Sequence, residues 1–153
     1  ATRRLRDAGR RTIAHVAGPA GSYAATERER GWRAAHDGAP VPEPLRGDWG
    51  AASGHAAGLR LAADPDVDAV FAANDQMALG VLRALAEAGR DDVAVIGFDD
   101  VADAADYRPP LTTVRQDFAA LGEAAVAALA ATLDGAPPTR TLVPTTLIAR
   151  ASG

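Results

Sequence analysis

Two pairs of polar side chains, Asn74-Asp75 and Asp99-Asp100, are the sequence's best candidates for recognising a small molecule. Each follows an apolar run: Ala69-Val70-Phe71-Ala72-Ala73 before the first and Asp92 to Phe98 (DVAVIGF) before the second. Carboxylates and carboxamides are planar groups with paired acceptors or donors. Adjacent carboxylates such as Asp99 and Asp100 can also serve as a dyad or hold a metal, but no partner cluster supports either use here. After Asn74-Asp75, apolar positions recur at helical spacing: Met77, Val81 and Leu85, with Leu82 beside them. A buried strand, a polar corner and an amphipathic helix make half of a βαβ unit. In open α/β sheets, ligands bind where strands end and helices begin. Asn and Asp are also good helix N-caps, because their oxygens accept from the free N–H groups of the first turn. The corner therefore suits a cap as well as a site. Two more apolar stretches end in similar fashion, at Gly18-Pro19 and at Asp48-Trp49. Four such strand ends share one edge of a parallel sheet, where they resemble the lip of a site.

Enzyme readings find little support. His15 lies in an apolar stretch, and His36 and His55 fall on separate helices, without the close spacing of a metal pair. Gly50-Ala51-Ala52-Ser53-Gly54 misses the G-x-S-x-G nucleophile elbow by one position. The phosphate-binding patterns G-x-x-x-x-G-K-[ST] and G-x-G-x-x-G are absent. No catalytic residue, metal or cofactor is expected. The chain has no cysteine, which removes disulfides, thiolate ligands and a thiol nucleophile. Its net charge of -4 leaves no electrostatic footprint for DNA or an anionic membrane. No apolar run approaches the roughly 20 residues of a membrane span. At 153 residues, with 48% apolar and 24% charged, it reads as one globular domain or part of a larger one. The start is basic and runs straight into periodic structure, without Met or a signal peptide, which reads as a fragment.

The elements that must position these residues follow from periodicity and breakers. Residues 2–9 read as the end of a helix closed by Gly9, and Thr12 to Ala17 as a strand broken by Gly18-Pro19. Ser22 caps a helix to about Ala35. A Pro-rich loop, Gly38 to Pro44, precedes a short strand from Leu45 to Trp49. A helix from about Ala51 to Ala63 follows, its Gly54 and Gly58 allowing close approach to the sheet. Next come the Ala69 strand, its helix stopped by Gly89, and the Asp92–Phe98 strand. Leu111 to Val114 is extended, Gln116 to Asp134 is the longest helix, and Thr141 to Ala149 is a last strand. Such alternation gives a parallel sheet covered on both faces, with right-handed crossovers.

The run Ala73-Asn74-Asp75-Gln76-Met77-Ala78-Leu79-Gly80 resembles the effector domains of the lactose/galactose repressor family of bacterial transcription regulators. So do Val95-Ile96-Gly97-Phe98-Asp99-Asp100 and Pro109-Pro110-Leu111-Thr112-Thr113-Val114-Arg115-Gln116-Asp117-Phe118. Ala17-Gly18-Pro19, Arg30-Gly31-Trp32 and Gly47-Asp48-Trp49 agree, in order and spacing, across nearly the whole chain. The sequence departs from the common pattern in a contracted loop at Ala39 to Leu45 and at Arg90-Asp91-Asp92, which lacks a Val-Pro step.

The resemblance implies a three-layer α/β/α lobe of the type I periplasmic-binding-protein-like fold, with the ligand held between two lobes. Residues 1–153 then form the second lobe, and 116–134 a helix that returns to a first lobe outside this sequence. The DNA-binding headpiece is also outside it. The resemblance places the effector on Arg28, Trp49, Asn74, Asp99 and Gln116. Planar Asp, Asn and Gln groups suit the adjacent hydroxyls of a sugar, Arg28 offers a rigid fork of donors, and Trp49 a flat face for a pyranose ring. Burying a hydroxyl unpaired costs roughly 1–3 kcal/mol, so such a site selects by hydroxyl orientation. A nucleobase is the competing ligand class. Simpler roles stay open: Trp49 in the core, Arg28 as a surface charge, Asp99 as a cap, Gln116 solvated and Tyr23 in a solvated loop. The implied protein is a cytoplasmic homodimer that meets operator DNA through the headpiece and no membrane. The dimer is expected to use an outward stripe with Leu79, Leu82 and Tyr107. The alternative is an extracytoplasmic sugar-binding protein of a transporter. A nucleoside- or sugar-processing enzyme is a third reading. Phe118, Leu121, Val126, Leu129 and Leu133 form a stripe that is expected to be buried, on a neighbouring chain or folded back on its own sheet.

Overall fold

Strands and helices alternate in the computed structural model, which describes residues 1–153. The elements are α1 (Thr2–Asp7), β1 (Ile13–Ala17), α2 (Tyr23–Ala34), β2 (Leu45–Arg46), α3 (Ala51–Ala62), β3 (Ala69–Ala72), α4 (Asp75–Glu87), β4 (Ala94–Asp99), β5 (Thr112–Gln116), α5 (Phe118–Leu133) and β6 (Thr145–Ile148). A short 3-10 turn, Ala104–Asp106, lies between β4 and β5. The six strands form one sheet in the order β2-β1-β3-β4-β5-β6. All pairs are parallel except β5 with β6, which is antiparallel. The expected α/β architecture, with a parallel sheet covered on both faces, is present.

The central strands read as unbroken apolar runs because both of their faces are buried. One face packs under α3 and α4 around Val16, Val70, Val81, Leu85 and Val95. The other holds Leu5, Ile13, Trp32, Phe71 and Ile96 under α1 and α2. On that second face His15 is 1% exposed and stacked between the rings of Trp32 and Phe71, at 5.2 and 4.8 Å. Its Nδ1 lies 2.8 Å from the Phe71 carbonyl, which can only accept, so Nδ1 carries a proton. Burial lowers its pKa from 6.5 to about 4.

Gly54 and Gly58 act differently from expectation. A Cβ at Gly54 would overlap the backbone of Met77, and one at Gly58 would crowd Val81 and Ala84. The close approach is of α3 to α4, not of α3 to the sheet. Helix α5 brings a second correction. Gln116 ends β5 instead of opening the helix, and Asp117 is the N-cap, accepting from the Ala120 amide at 2.9 Å. The helix has no buried residue, and Phe118, Val126 and Leu133 are 58, 69 and 79% exposed. It does not fold back on its own sheet. None of its residues joins the core on either face of the sheet. No helix is long and apolar enough to cross a membrane.

Candidate functional site

The carboxyl ends of β1, β3, β4 and β5 share one edge, and α2 and α4 begin there. Helix α2 starts at Ser22, whose hydroxyl accepts from the Ala25 amide. That start sets Arg28 in its second turn, pointing across the edge. One Arg28 nitrogen donates to the Ala73 carbonyl at the end of β3. The other donates to Asp99 Oδ1 at 3.1 Å, while Gln116 Nε2 donates to the same oxygen at 2.8 Å. The guanidinium lies over the Phe98 ring at 4.0 Å and near Trp49 at 5.5 Å. Arg28, Asp99 and Gln116, far apart in sequence, thus meet in one cluster.

Burial dominates its electrostatics. Desolvation pushes the Asp99 carboxyl up, against the opposing pull of Arg28 and Gln116. Desolvation likewise pushes Arg28 down, against Asp99. The two shifts agree: each charge loses more to burial than its partner returns. Both protein donors converge on Asp99 Oδ1, and no protein donor reaches Oδ2.

Trp49 and Asn74 form a second unit. Trp49 is in the left-handed region with φ +74°, a costly conformation for a bulky residue. Asn74 Nδ2 donates to its carbonyl at 2.9 Å, and the indole lies against Gly18, where a Cβ would overlap the ring. Asn74 Oδ1 also caps α4, accepting from the Met77 amide at 3.0 Å. Asn74 is 6% exposed, so the structure gives it the capping role together with a strut to Trp49. Tyr23 is 74% exposed and, with Arg28, lines an open groove of about 790 Å³. Trp32, Phe71, Phe98 and Gln116 also line that groove.

The three residues expected on the dimer face do not share one outward stripe. Leu79 is 38% exposed, but Leu82 and Tyr107 are 6 and 7% exposed and belong to the core under α3 and α4. The turn after β4 tucks Tyr107 inward, where burial pushes its phenol up to about 12. No group of three or more His, Cys, Asp or Glu side chains converges as metal ligands would.

Three residues take parts that sequence reasoning did not assign to them, although Asp75 and Asp100 stood among its candidates. Phe98 ends an apolar run and looks like core, yet it carries the Arg28 guanidinium. Asp100, 5% exposed in its side chain, is clamped by Arg115 Nε at 2.6 Å and by Arg150 at 2.7 Å. Burial works to raise the Asp100 carboxyl, but these two arginines outweigh it and hold it low. Asp75 is fully buried beneath the corner. Only the doubled Asp99-Asp100 hinted at a division of labour, one carboxylate for the site and one for the frame.

The sequence matches the family described as periplasmic binding protein-like domain over residues 2–153. The lactose operon repressor of Klebsiella pneumoniae is 44% identical, over 98% of this chain and 44% of its own length. The transcriptional regulator CelR of Thermobifida fusca is 42% identical, over all of this chain and 48% of its own length. The chain thus spans less than half the length of these relatives. Among solved structures, the lac repressor dimer bound to operator and the anti-inducer ONPF superposes with a TM-score of 0.90 at 36% identity, covering 99% of this chain and 57% of that one. A CelR–cellobiose complex superposes with a TM-score of 0.89 at 40% identity, covering all of this chain and 50% of that one.

Proposed function

This chain belongs to the periplasmic binding protein-like domain family, where its relatives are repressors of the lactose type, and from that premise we propose that it is the second lobe of an effector-sensing domain in such a regulator. The effector is a small sugar or sugar derivative bound on the Arg28–Asp99–Gln116 cluster. The observation that carries this reading is the geometry of Asp99: partly buried, fixed by two donors on one oxygen, and open on the other. A sugar hydroxyl donating to Oδ2 and accepting from Arg28 or Gln116 satisfies each group as it is desolvated. Trp49 supplies an apolar face for the ring, and Asn74 acts there through its hold on the Trp49 carbonyl. The relative crystallised with cellobiose supports a sugar over a nucleobase.

The first lobe then closes over this edge, and the apolar face of α5 docks on it. The regulator works as a homodimer in the cytoplasm and reaches operator DNA through a headpiece outside these 153 residues. Leu79 is the exposed large apolar residue of α4 available to that dimer. Effector binding stabilises one relative orientation of the lobes, and such a switch operates only through differential affinity for the two states.

Calorimetry on the full-length protein with a panel of mono- and disaccharides tests this reading. Asp99→Asn is expected to weaken binding by about 1–3 kcal/mol, the range for hydrogen bonds to a charged group. Unchanged affinity in a folded Asp99→Asn protein would overturn the assignment, and so would a wild type that binds no sugar.

A further inference from the structure

The corner that presents Asp99 is strained. Asp99 has φ +112° and Asp100 φ +57°, both in the region that L side chains rarely adopt. Such a pair persists only where the surroundings over-determine it. The clamp of Arg115 and Arg150 on Asp100 provides one hold. The second comes from beneath, from Asp75, the first residue of α4. Its Oδ2 accepts from the Val101 amide at 2.9 Å, two residues beyond Asp99. Its Oδ1 accepts from the Thr113 hydroxyl on β5 at 2.6 Å. Gly97 leaves the space, since a Cβ there would overlap Asp75 Oδ1.

The cap of α4 does not account for Asp75. Asn74 already serves that purpose through the Met77 amide, and every hydrogen bond to the Asp75 carboxylate comes from another element. Burying a carboxylate costs several kcal/mol unless donors surround it. Here the donors are the Val101 amide, just after Asp99, and the Thr113 hydroxyl on the strand that carries Gln116. Asp75 therefore joins the two strands whose ends supply Asp99 and Gln116.

We propose that Asp75 is a positioning residue of the ligand site, pinning the Asp99–Asp100 corner so that Asp99 meets Arg28 and Gln116 in its ligand-ready geometry. The inference rests on the sugar-effector reading, and Asp75 itself touches no ligand. Burial, with the charge of Asp99 adding to it, pushes the Asp75 carboxyl up, and its hydrogen-bond donors, the Thr113 hydroxyl first, pull it back.

The test compares Asp75→Asn, Thr113→Val and, as a control for lost stability alone, Leu85→Ala in the full-length protein. Amide hydrogen exchange of residues 98–101 reads the corner without any ligand, and calorimetry with glucose, galactose, lactose and cellobiose reads the site. Asp75→Asn is expected to speed exchange at the corner and to weaken sugar binding by about tenfold or more, as for a lost hydrogen bond to a charged group. Thr113→Val is expected to do the same to a smaller degree, about threefold, as for a neutral hydrogen bond. Leu85→Ala should lower the melting temperature and change neither readout at a temperature where it is folded. Unchanged corner exchange in Asp75→Asn overturns the proposal, as does an opened corner with unchanged sugar affinity. If Asp75→Asn does not fold, Thr113→Val decides, and a null result in either readout overturns the proposal. A wild type that binds none of the sugars refutes the effector reading instead; corner exchange then decides the pinning by itself.

Discussion

Helices α4 and α5 carry the same kind of apolar stripe and meet opposite fates. Helix α4 buries Met77, Val81, Leu82 and Leu85, all 6% exposed or less. Helix α5 repeats Leu121, Val126, Leu129 and Leu133 and buries none of them. Each has a side-chain N-cap, Asn74 for one and Asp117 for the other. The difference lies in what stands opposite. Helix α4 joins two neighbouring parallel strands, β3 and β4, so its stripe faces the sheet and α3. Helix α5 leaves β5 and returns through a long connection to the antiparallel edge strand β6. Periodicity shows that a helix has an apolar face; it does not show whether the partner of that face belongs to the same stretch of chain.

The largest effect that tests this contrast is a cavity. Leu85→Ala removes a side chain that is 3% exposed and is expected to cost about 2–5 kcal/mol in urea unfolding. Leu129→Ala, at a site 61% exposed, is expected to stay within about 0.5 kcal/mol in the same 153-residue chain. Equal costs would mean that α5 has a partner in the folded chain, and the contrast would fail.

A proton loads the core and not α5. His15 is neutral when folded, with its pKa lowered to about 4, whereas an unfolded chain titrates it near 6.5. As pH falls through 6.5 toward 4, the unfolded state takes the proton first, so stability drops across that window and levels off below it. The loss amounts to about 3 kcal/mol in all. The wild type minus His15→Leu difference in unfolding free energy, measured between pH 7 and 4, isolates this contribution from the carboxylates. A flat difference would show that His15 is not the buried neutral ring described here.

The caps give the smallest and most local comparison. Asn74→Ala is expected to lower global stability by about 1 kcal/mol, because it uncaps a helix in the core. It should also loosen Trp49, which a shift in tryptophan fluorescence would report. Asp117→Ala uncaps α5 and is expected to reduce helical circular dichroism while leaving the midpoint of core unfolding in place. A midpoint shift equal to that of Asn74→Ala would tie α5 to the core after all.

Much of this fold was legible in sequence because its signals are local. Apolar runs ending in Gly18-Pro19, Asn74-Asp75 and Asp99-Asp100, the Ser22 cap and the stripe of α4 each depend on residues a few positions apart. They determined the alternation of strand and helix, the parallel sheet and the edge on which the site lies. The cap of α5 was equally local yet went unread: the helix was expected from Gln116, but Asp117 caps it, so it begins at Phe118 and Gln116 remains in the strand. Tertiary structure decided the rest, because those contacts join distant segments. Arg28 and Asp99 are separated by 71 positions, and Arg150 and Asp100 by 50. The order β2-β1-β3-β4-β5-β6 brings them together, and no periodicity encodes it. The same long-range packing turned Leu82 and Tyr107 inward, set Gly54 against α4 and placed Asp75 beneath the corner that holds Asp99. Composition and spacing name the faces and the ends of the elements; which face meets which is decided only when the whole sheet closes its core.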